Sequence, residues 1–304
     1  MCNMPLHYRI LSTPDVGFCG SVVWSHTPTS GHVQAGFGRP VMAAYRRDNI
    51  IRLSVMHDLL KEQFEQDGYV LGLELLNNTQ VARYRRAYER IEKEVSLRNP
   101  KGRITNMHLE DAEIWELATH PRVLEWVGSI VGADIVLVSS GFFVKPPEST
   151  GQFVAWHQDT TYWGLEPPFA ITAWIALDDA DVENGCMRVI PGSHKLGLLP
   201  HCESKQQGNV LGQNQEIDLA QFDASTAVDF VLKAGSASLH HGELIHGSNP
   251  NCSRRRRCGM TVRFSIPAVR PVKTGEYPFR DRPVLVCGED RYGHFEYVPK
   301  PDFA

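Results

Sequence analysis

Residues 153–179, FVAWHQDTTYWGLEPPFAITAWIALDD, set two short β-rich runs on either side of a Gly- and Pro-containing break, and the first run leads into His157-Gln158-Asp159. Runs of this length, rich in Val, Ile, Trp and Thr and bounded by Gly and Pro, read as sheet strands. The same texture holds after Gly132, in DIVLVSSGFFVK, GCMRVIPG, VDFVLK, SASLHH and MTVRFSIP, with Gly, Pro, Asn and Asp between the runs. Helical patterns come earlier. MHDLLKEQFEQDGYV puts Leu59, Leu60 and Phe64 on one face and meets a stop at Gly68. A second helix is expected over roughly 78 to 96, with Val81, Tyr84 and Ile91 on its apolar side. DAEIWELAT and PRVLEWVGSIVG follow, the latter with Pro121 in a natural first-turn position. Helices first and many short strands afterwards, with no βαβ alternation and no internal repeat, predict an α+β chain. Its core is expected to be a double-stranded β-helix, a cupin-like jelly roll, with flanking N-terminal helices.

At 304 residues and 42% apolar composition the chain can bury a substantial core. A formal net charge of −4 excludes a strongly basic polyanion-binding protein. No nucleic-acid or membrane partner is expected, because no run of about 18 apolar residues exists. MCNMPLHYRILSTPDVG lacks the features of a secretory signal. Seven scattered cysteines without a CxxC pair read as reduced thiols, so a cytoplasmic protein is expected, monomeric or homodimeric. Residues 1–55 mix Gly, Pro, Ser and Thr without periodicity and read as a poorly ordered extension, with Met56 a second plausible start. The jelly-roll domain is expected over residues 56–304.

On a strand, residues i and i+2 share a face, so His157 and Asp159 can grip one metal ion together. A histidine from a second strand would complete a two-histidine, one-carboxylate facial triad that leaves ferrous iron open positions for substrate and O₂. An HxD pair alone is commonly a surface or structural pair. The downstream stretch HGELIHGSNPNCSRRRRCGMTVRF changes its weight: it supplies His246, 89 residues after His157, and then an arginine about a dozen residues later. The co-substrate 2-oxoglutarate needs a metal for its 2-oxo acid end and a permanently charged, bidentate arginine for its distal carboxylate.

WHQDTTYW, ITAWIALDDADVENGCMRVIPGSHK and HGSNPNCSRRRRCGMTVRF together resemble the phytanoyl-CoA dioxygenase family of iron(II)/2-oxoglutarate-dependent oxygenases, which includes ectoine hydroxylase and related bacterial enzymes. The resemblance covers residues from about 57 to 304, with ectoine-hydroxylase-like enzymes the expected branch. It implies a jelly roll, His157, Asp159 and His246 as iron ligands, and Arg257, eleven residues past the distal histidine, as the 2-oxoglutarate-binding arginine. Arg255 would share a face with Arg257 on an extended strand, Arg254 to Arg256 read as a solvated basic turn, and Arg263 is a rival. Ser248 resembles the position whose hydroxyl assists the same carboxylate. Trp174 resembles a site-lining position, and Thr172 shares its face by alternation; ordinary sheet core is the competing reading for both. Family halogenases carry Ala or Gly where this chain has Asp159, so the resemblance implies hydroxylation, with desaturation, cyclisation and epoxidation as alternatives that use the same oxidant.

Other histidines read as structural: His194 as a hydrogen-bonded turn residue, and His108 and His120 as satisfied helix-region residues. His240 and His241 precede His246 on one stretch and are rivals for the ligand, and His201 is placed at the entrance. Gln158 should point away from the metal. Thr160, Thr161, Tyr162 and Trp163 are expected to line the pocket, and Lys145 either meets an anionic group or lies on the surface. Such a wall suits a small or medium-sized polar metabolite better than a long acyl thioester. Two other classes are a zinc hydrolase, which gives no reason for an arginine at the spacing of Arg257, and a non-catalytic family member, expected to have lost a ligand.

Overall fold

The computed structural model describes residues 55–98, 104–212 and 214–303. The extension expected over residues 1–55 lies, but for Val55, outside the described residues. Helix α1 covers residues 55–67 and stops at Gly68, whose φ of 81° lies in the left-handed region that favours glycine. A Cβ there would also fall 2.4 Å from the His194 ring. Leu60 and Phe64, one turn apart, are buried, whereas Leu59 is 58% exposed. The three-residue apolar face expected for this helix is therefore two residues wide, because Leu59 sits about 100° around the axis from Leu60.

Helix α2 spans Asn78–Arg98 and buries Val81, Tyr84 and Ile91. Asn77 and Gln80 cap its start reciprocally, each side chain accepting the other's backbone N–H. Helix α3, Ala112–Ala118, is capped by Asp111, and helix α4, Pro121–Val131, has Pro121 in its first turn and His120 as its cap.

The strands, numbered along the chain, form two main antiparallel sheets. Six strands lie in the order β1 (Tyr69–Glu74), β10 (Ser236–His241), β5 (Ile171–Ala176), β12 (Arg257–Ser265), β2 (Ile135–Lys145) and β14 (Val284–Cys287). Four lie in the order β3 (Val154–His157), β11 (His246–Ser248), β6 (Met187–Val189) and β9 (Val228–Asp229). Two short ribbons complete the set, β4 (Leu165–Glu166) with β13 (Arg270–Pro271) and β7 (His201–Glu203) with β8 (Gln215–Ile217). This is the expected jelly roll, with helices on one side of the larger sheet.

Strand β12 shows how the two faces divide. Cys258, Met260, Val262 and Phe264 pack into the main core with Tyr88, Ile91, Ile114 and Leu117 of the helices. Each such buried apolar side chain contributes about 1.5–3 kcal/mol. The alternate residues Arg257, Thr261 and Arg263 line a cavity on the opposite face. Among the described residues no helix is long and apolar enough to cross a membrane.

Candidate metal centre and co-substrate pocket

His157 closes β3 and stands directly opposite His246, the first residue of β11, in the antiparallel ladder. Their rings lie 4.1 Å apart, centroid to centroid. Each ring is aimed by the carbonyl two residues before it: His157 Nδ1 donates to Ala155 O at 2.9 Å, and His246 Nδ1 to Leu244 O at 2.8 Å. A carbonyl only accepts, so both protons sit on Nδ1 and both Nε2 lone pairs are free. Asp159 Oδ1 lies 3.5 Å from His157 Nε2 and 3.9 Å from His246 Nε2. The three buried donors fall within 4.8 Å of one another, and among the described residues they form the group able to hold a metal ion.

Asp159 does not share a strand with His157, contrary to the i, i+2 expectation. β3 ends at His157 and Asp159 opens a 3₁₀ turn, Asp159–Tyr162. Gln158 causes the departure. Its buried carboxamide donates to Gly197 O and Glu243 O and accepts from Leu199 N, all at 2.8 Å, which pulls the backbone out of the sheet and points the side chain away from the triad. The Asp159 carboxylate comes back to the histidines through the turn.

The protonation pattern suits a metal. Burial, followed by the neighbouring His157, pushes the His246 imidazolium well down, leaving the ring neutral. Burial alone would raise Asp159, but His246, His157, His240 and Arg263 around it hold the carboxyl well below its ordinary value. Thr172 Oγ1 steadies the other carboxylate oxygen at 3.3 Å. Two imidazoles whose Nε2 atoms face one carboxylate are a donor set for ferrous iron.

At the far end of the cavity Arg257 is 3% exposed, its Nη1 donating to Gly185 O at 3.0 Å and its Nε lacking a partner. Its guanidinium lies 5.6 Å from the Trp174 ring, which fits because residue 259 is glycine; a Cβ there would meet the indole at 2.1 Å. Opposite Arg257 in register stands Lys145, 2% exposed, whose ammonium donates to Ser248 Oγ at 2.6 Å and to Asn249 O. The surface reading of Lys145 is thus wrong. Burial, with the Arg257 charge second, pushes its ammonium down to about 7. Among the described residues no carboxylate forms an ion pair with either cation. Two buried positive groups without a counter-charge are an anion site in waiting. Arg254 is exposed, Arg255 pairs with Asp181 at 2.7 Å and Arg256 with Asp178 at 2.8 Å, so these three leave the site to Arg257.

This geometry has counterparts among known proteins. The phytanoyl-CoA dioxygenase (PhyH) family model matches residues 64–259. The chain belongs to the PhyH family. Its relatives include bovine peroxisomal phytanoyl-CoA dioxygenase, 28% identical over 270 residues that cover 81% of this chain and 77% of that one. A probable alpha-ketoglutarate-dependent hypophosphite dioxygenase of Stutzerimonas stutzeri is 27% identical, over 64% of this chain and 62% of that one. Among solved structures, the apo form of the non-heme monooxygenase ThoJ aligns at TM-score 0.69 and 30% identity, covering 80% of this chain and 88% of that one. CytC3 with Fe(II) and alpha-ketoglutarate shares the fold at TM-score 0.57 and 22% identity, over 78% of this chain and 90% of that one. The matches are to the PhyH family at large and single out no ectoine-hydroxylase-like branch.

Several residues stand differently from their expected places. Trp163 borders a second cavity, whereas Thr160, Thr161 and Tyr162 lie in the 3₁₀ turn and line neither cavity at the site. His240 is buried beside the triad, its Nε2 3.7 Å from Asp159 Oδ2, outside the three-donor group. His241 turns the other way, against Phe64, Phe169 and His194. His194 sits in a turn and donates to Glu65 O, and His201 receives the Gln158 N–H. His108 is only half satisfied: Nδ1 meets Ser140 Oγ at 2.7 Å, and Nε2 is buried without a partner. For Lys145 the sequence carried no signal of this placement, since it precedes two prolines at a strand end and is placed by its register opposite Arg257.

Proposed function

We propose that this chain is an Fe(II)- and 2-oxoglutarate-dependent dioxygenase that hydroxylates a small or medium-sized metabolite, releasing succinate and CO₂. The observation that carries this reading is the pairing of a His157–Asp159–His246 donor set with the uncompensated cations Arg257 and Lys145 in one fold. His157, Asp159 and His246 would hold iron, and Arg257, helped by Ser248 and Lys145, would hold the distal carboxylate of 2-oxoglutarate. Bound iron supplies activation of O₂, with the co-substrate as the source of two electrons. Substrate C–H, O₂ and 2-oxoglutarate then balance to C–OH, succinate and CO₂. The protein's part is to fix both ends of the co-substrate and to keep Asp159 ionised, with Thr172 steadying it. Asp159 also fills the position that chloride would need, which favours hydroxylation. A zinc hydrolase would have no use for the buried Arg257–Lys145 pair.

The test is anaerobic titration of the Fe(II)-loaded protein with 2-oxoglutarate, followed by the visible charge-transfer band of the chelate. The band should form in the wild type and need far more co-substrate in Arg257→Ala. An Arg257→Ala protein that binds 2-oxoglutarate as tightly as wild type would sink the assignment.

A further inference from the structure

The inward face of β12 carries two arginines. Arg257 serves 2-oxoglutarate in the proposed dioxygenase, and the role argued for Arg263 rests on that function. Arg263 lies opposite Ser139 of β2 and Thr172 of β5, six residues along the strand from Arg257. Thr172 is the residue bonded to Asp159, so Arg263 stands beside the His157–Asp159–His246 donor set, at the end of the cavity away from Arg257. It lines both that cavity and an adjoining one of about 520 Å³. A space of this size falls within the usual range for a small-molecule site.

The central carbon of the Arg263 guanidinium lies 4.9 Å from the Trp163 ring centroid and 6.0 Å from that of Phe143. Its Nε is buried without a hydrogen-bond partner, and no ion pair reaches it among the described residues. Packing alone would account for the aromatic contacts. It would not account for a buried, unpaired N–H in a planar fork that opens on a cavity.

The rest of the lining narrows the ligand. Asn106, Ser139 and Ser140 are neutral, Glu92 and Asp281 are acidic, and among the described lining residues Arg263 is the one cation. A phosphate dianion would face two acids with a single positive partner. A monocarboxylate matches one bidentate fork, and Glu92 and Asp281, the latter near enough to feel the Arg263 charge, suit a hydroxyl or ammonium elsewhere on the same molecule.

We propose that Arg263 is a substrate-binding residue, and that the substrate is a hydroxy or amino monocarboxylic acid whose carboxylate pairs with its guanidinium and so sets which carbon faces the metal. The role is separate from that of Arg257, which serves the co-substrate at the other end of the strand.

Calorimetric titration of the anaerobic protein loaded with Fe(II) and 2-oxoglutarate tests this. The probes are a panel of hydroxy and amino monocarboxylic acids, each accompanied by its primary amide. At least one acid should bind, with its amide weaker by roughly tenfold or more, the loss expected when a charge-assisted bond goes. Arg263→Gln should bind that acid no better than the amide, and Arg263→Lys should recover part of the preference. Because Arg263 also neighbours Asp159, each protein is titrated at a 2-oxoglutarate concentration that saturates its own co-substrate charge-transfer band; absence of that band from the wild type would instead indict the dioxygenase reading. The proposal fails if no acid of the panel binds, if acid and amide bind alike, or if Arg263→Gln binds the acid like wild type. It fails equally if Arg263→Gln alone loses the co-substrate band.

Discussion

The two ends of β12 present the same side chain in opposite states. At one end Arg257 is closed in by Trp174, Gly185, Lys145 and Ser248, with little freedom to receive anything but a small anion of set position. At the other end Arg263 lies against Trp163 and Phe143 but opens on a cavity of about 520 Å³. A site for an invariant co-substrate can be tight because its ligand never changes. A site for a larger substrate needs room, and orients its ligand with a few polar groups.

Breaking the centre between the two ends should have the largest effect. His157→Ala or Asp159→Ala removes a metal donor, and hydroxylation, measured as succinate release at saturating Fe(II), should fall by well over about 100-fold. Loss of an outer partner alone commonly costs about 10–100-fold. Arg257→Ala should come next, weakening 2-oxoglutarate by roughly 10–150-fold in a binding titration, the equivalent of about 1.5–3 kcal/mol for a charge-assisted bond. Thr172→Val removes the hydroxyl from Asp159 without changing the shape of the side chain. Iron affinity should drop by about tenfold, at the low end of that outer-partner range because the bond is 3.3 Å long.

The smallest effect should be the one that depends on pH. Lys145, pushed down to about 7, is charged below that pH and increasingly neutral above it. A bound carboxylate favours the charged form, so binding takes up a proton above pH 7, and 2-oxoglutarate affinity should decline as pH rises past 7. Lys145→Met should lose a few-fold in affinity at pH 6, by about the worth of one charged contact, and show no such decline between pH 7 and 9. Calorimetry in buffers of different ionisation heat reads the proton uptake directly. A wild type with flat affinity across that window would show that Lys145 serves Ser248 and Asn249 alone.

Much of the centre is legible in the amino-acid order. His157, Asp159 and His246 are residue types that bind iron at a spacing that two strands can bring together, and Val81, Tyr84 and Ile91 follow a helical period that burial then honours. Other features are not. Leu59 belongs to an apolar pattern that the helix turns to solvent. Asp159 leaves the strand because Gln158 finds three backbone partners, on residues 39 to 85 positions away. Lys145 precedes two prolines at a strand end, a place where a lysine is ordinarily exposed, and only its register with Arg257 buries it.

The division follows the range of the forces. By itself the sequence determined the periodicities, the stops and the choice of donors, because these depend on neighbours a few residues apart or on the chemistry of single side chains. Only the tertiary structure decided how those side chains were charged and aimed. Burial and long-range pairing give His246 its neutral ring, Lys145 its weakened ammonium, and Arg257 and Arg263 their two separate ends of one strand.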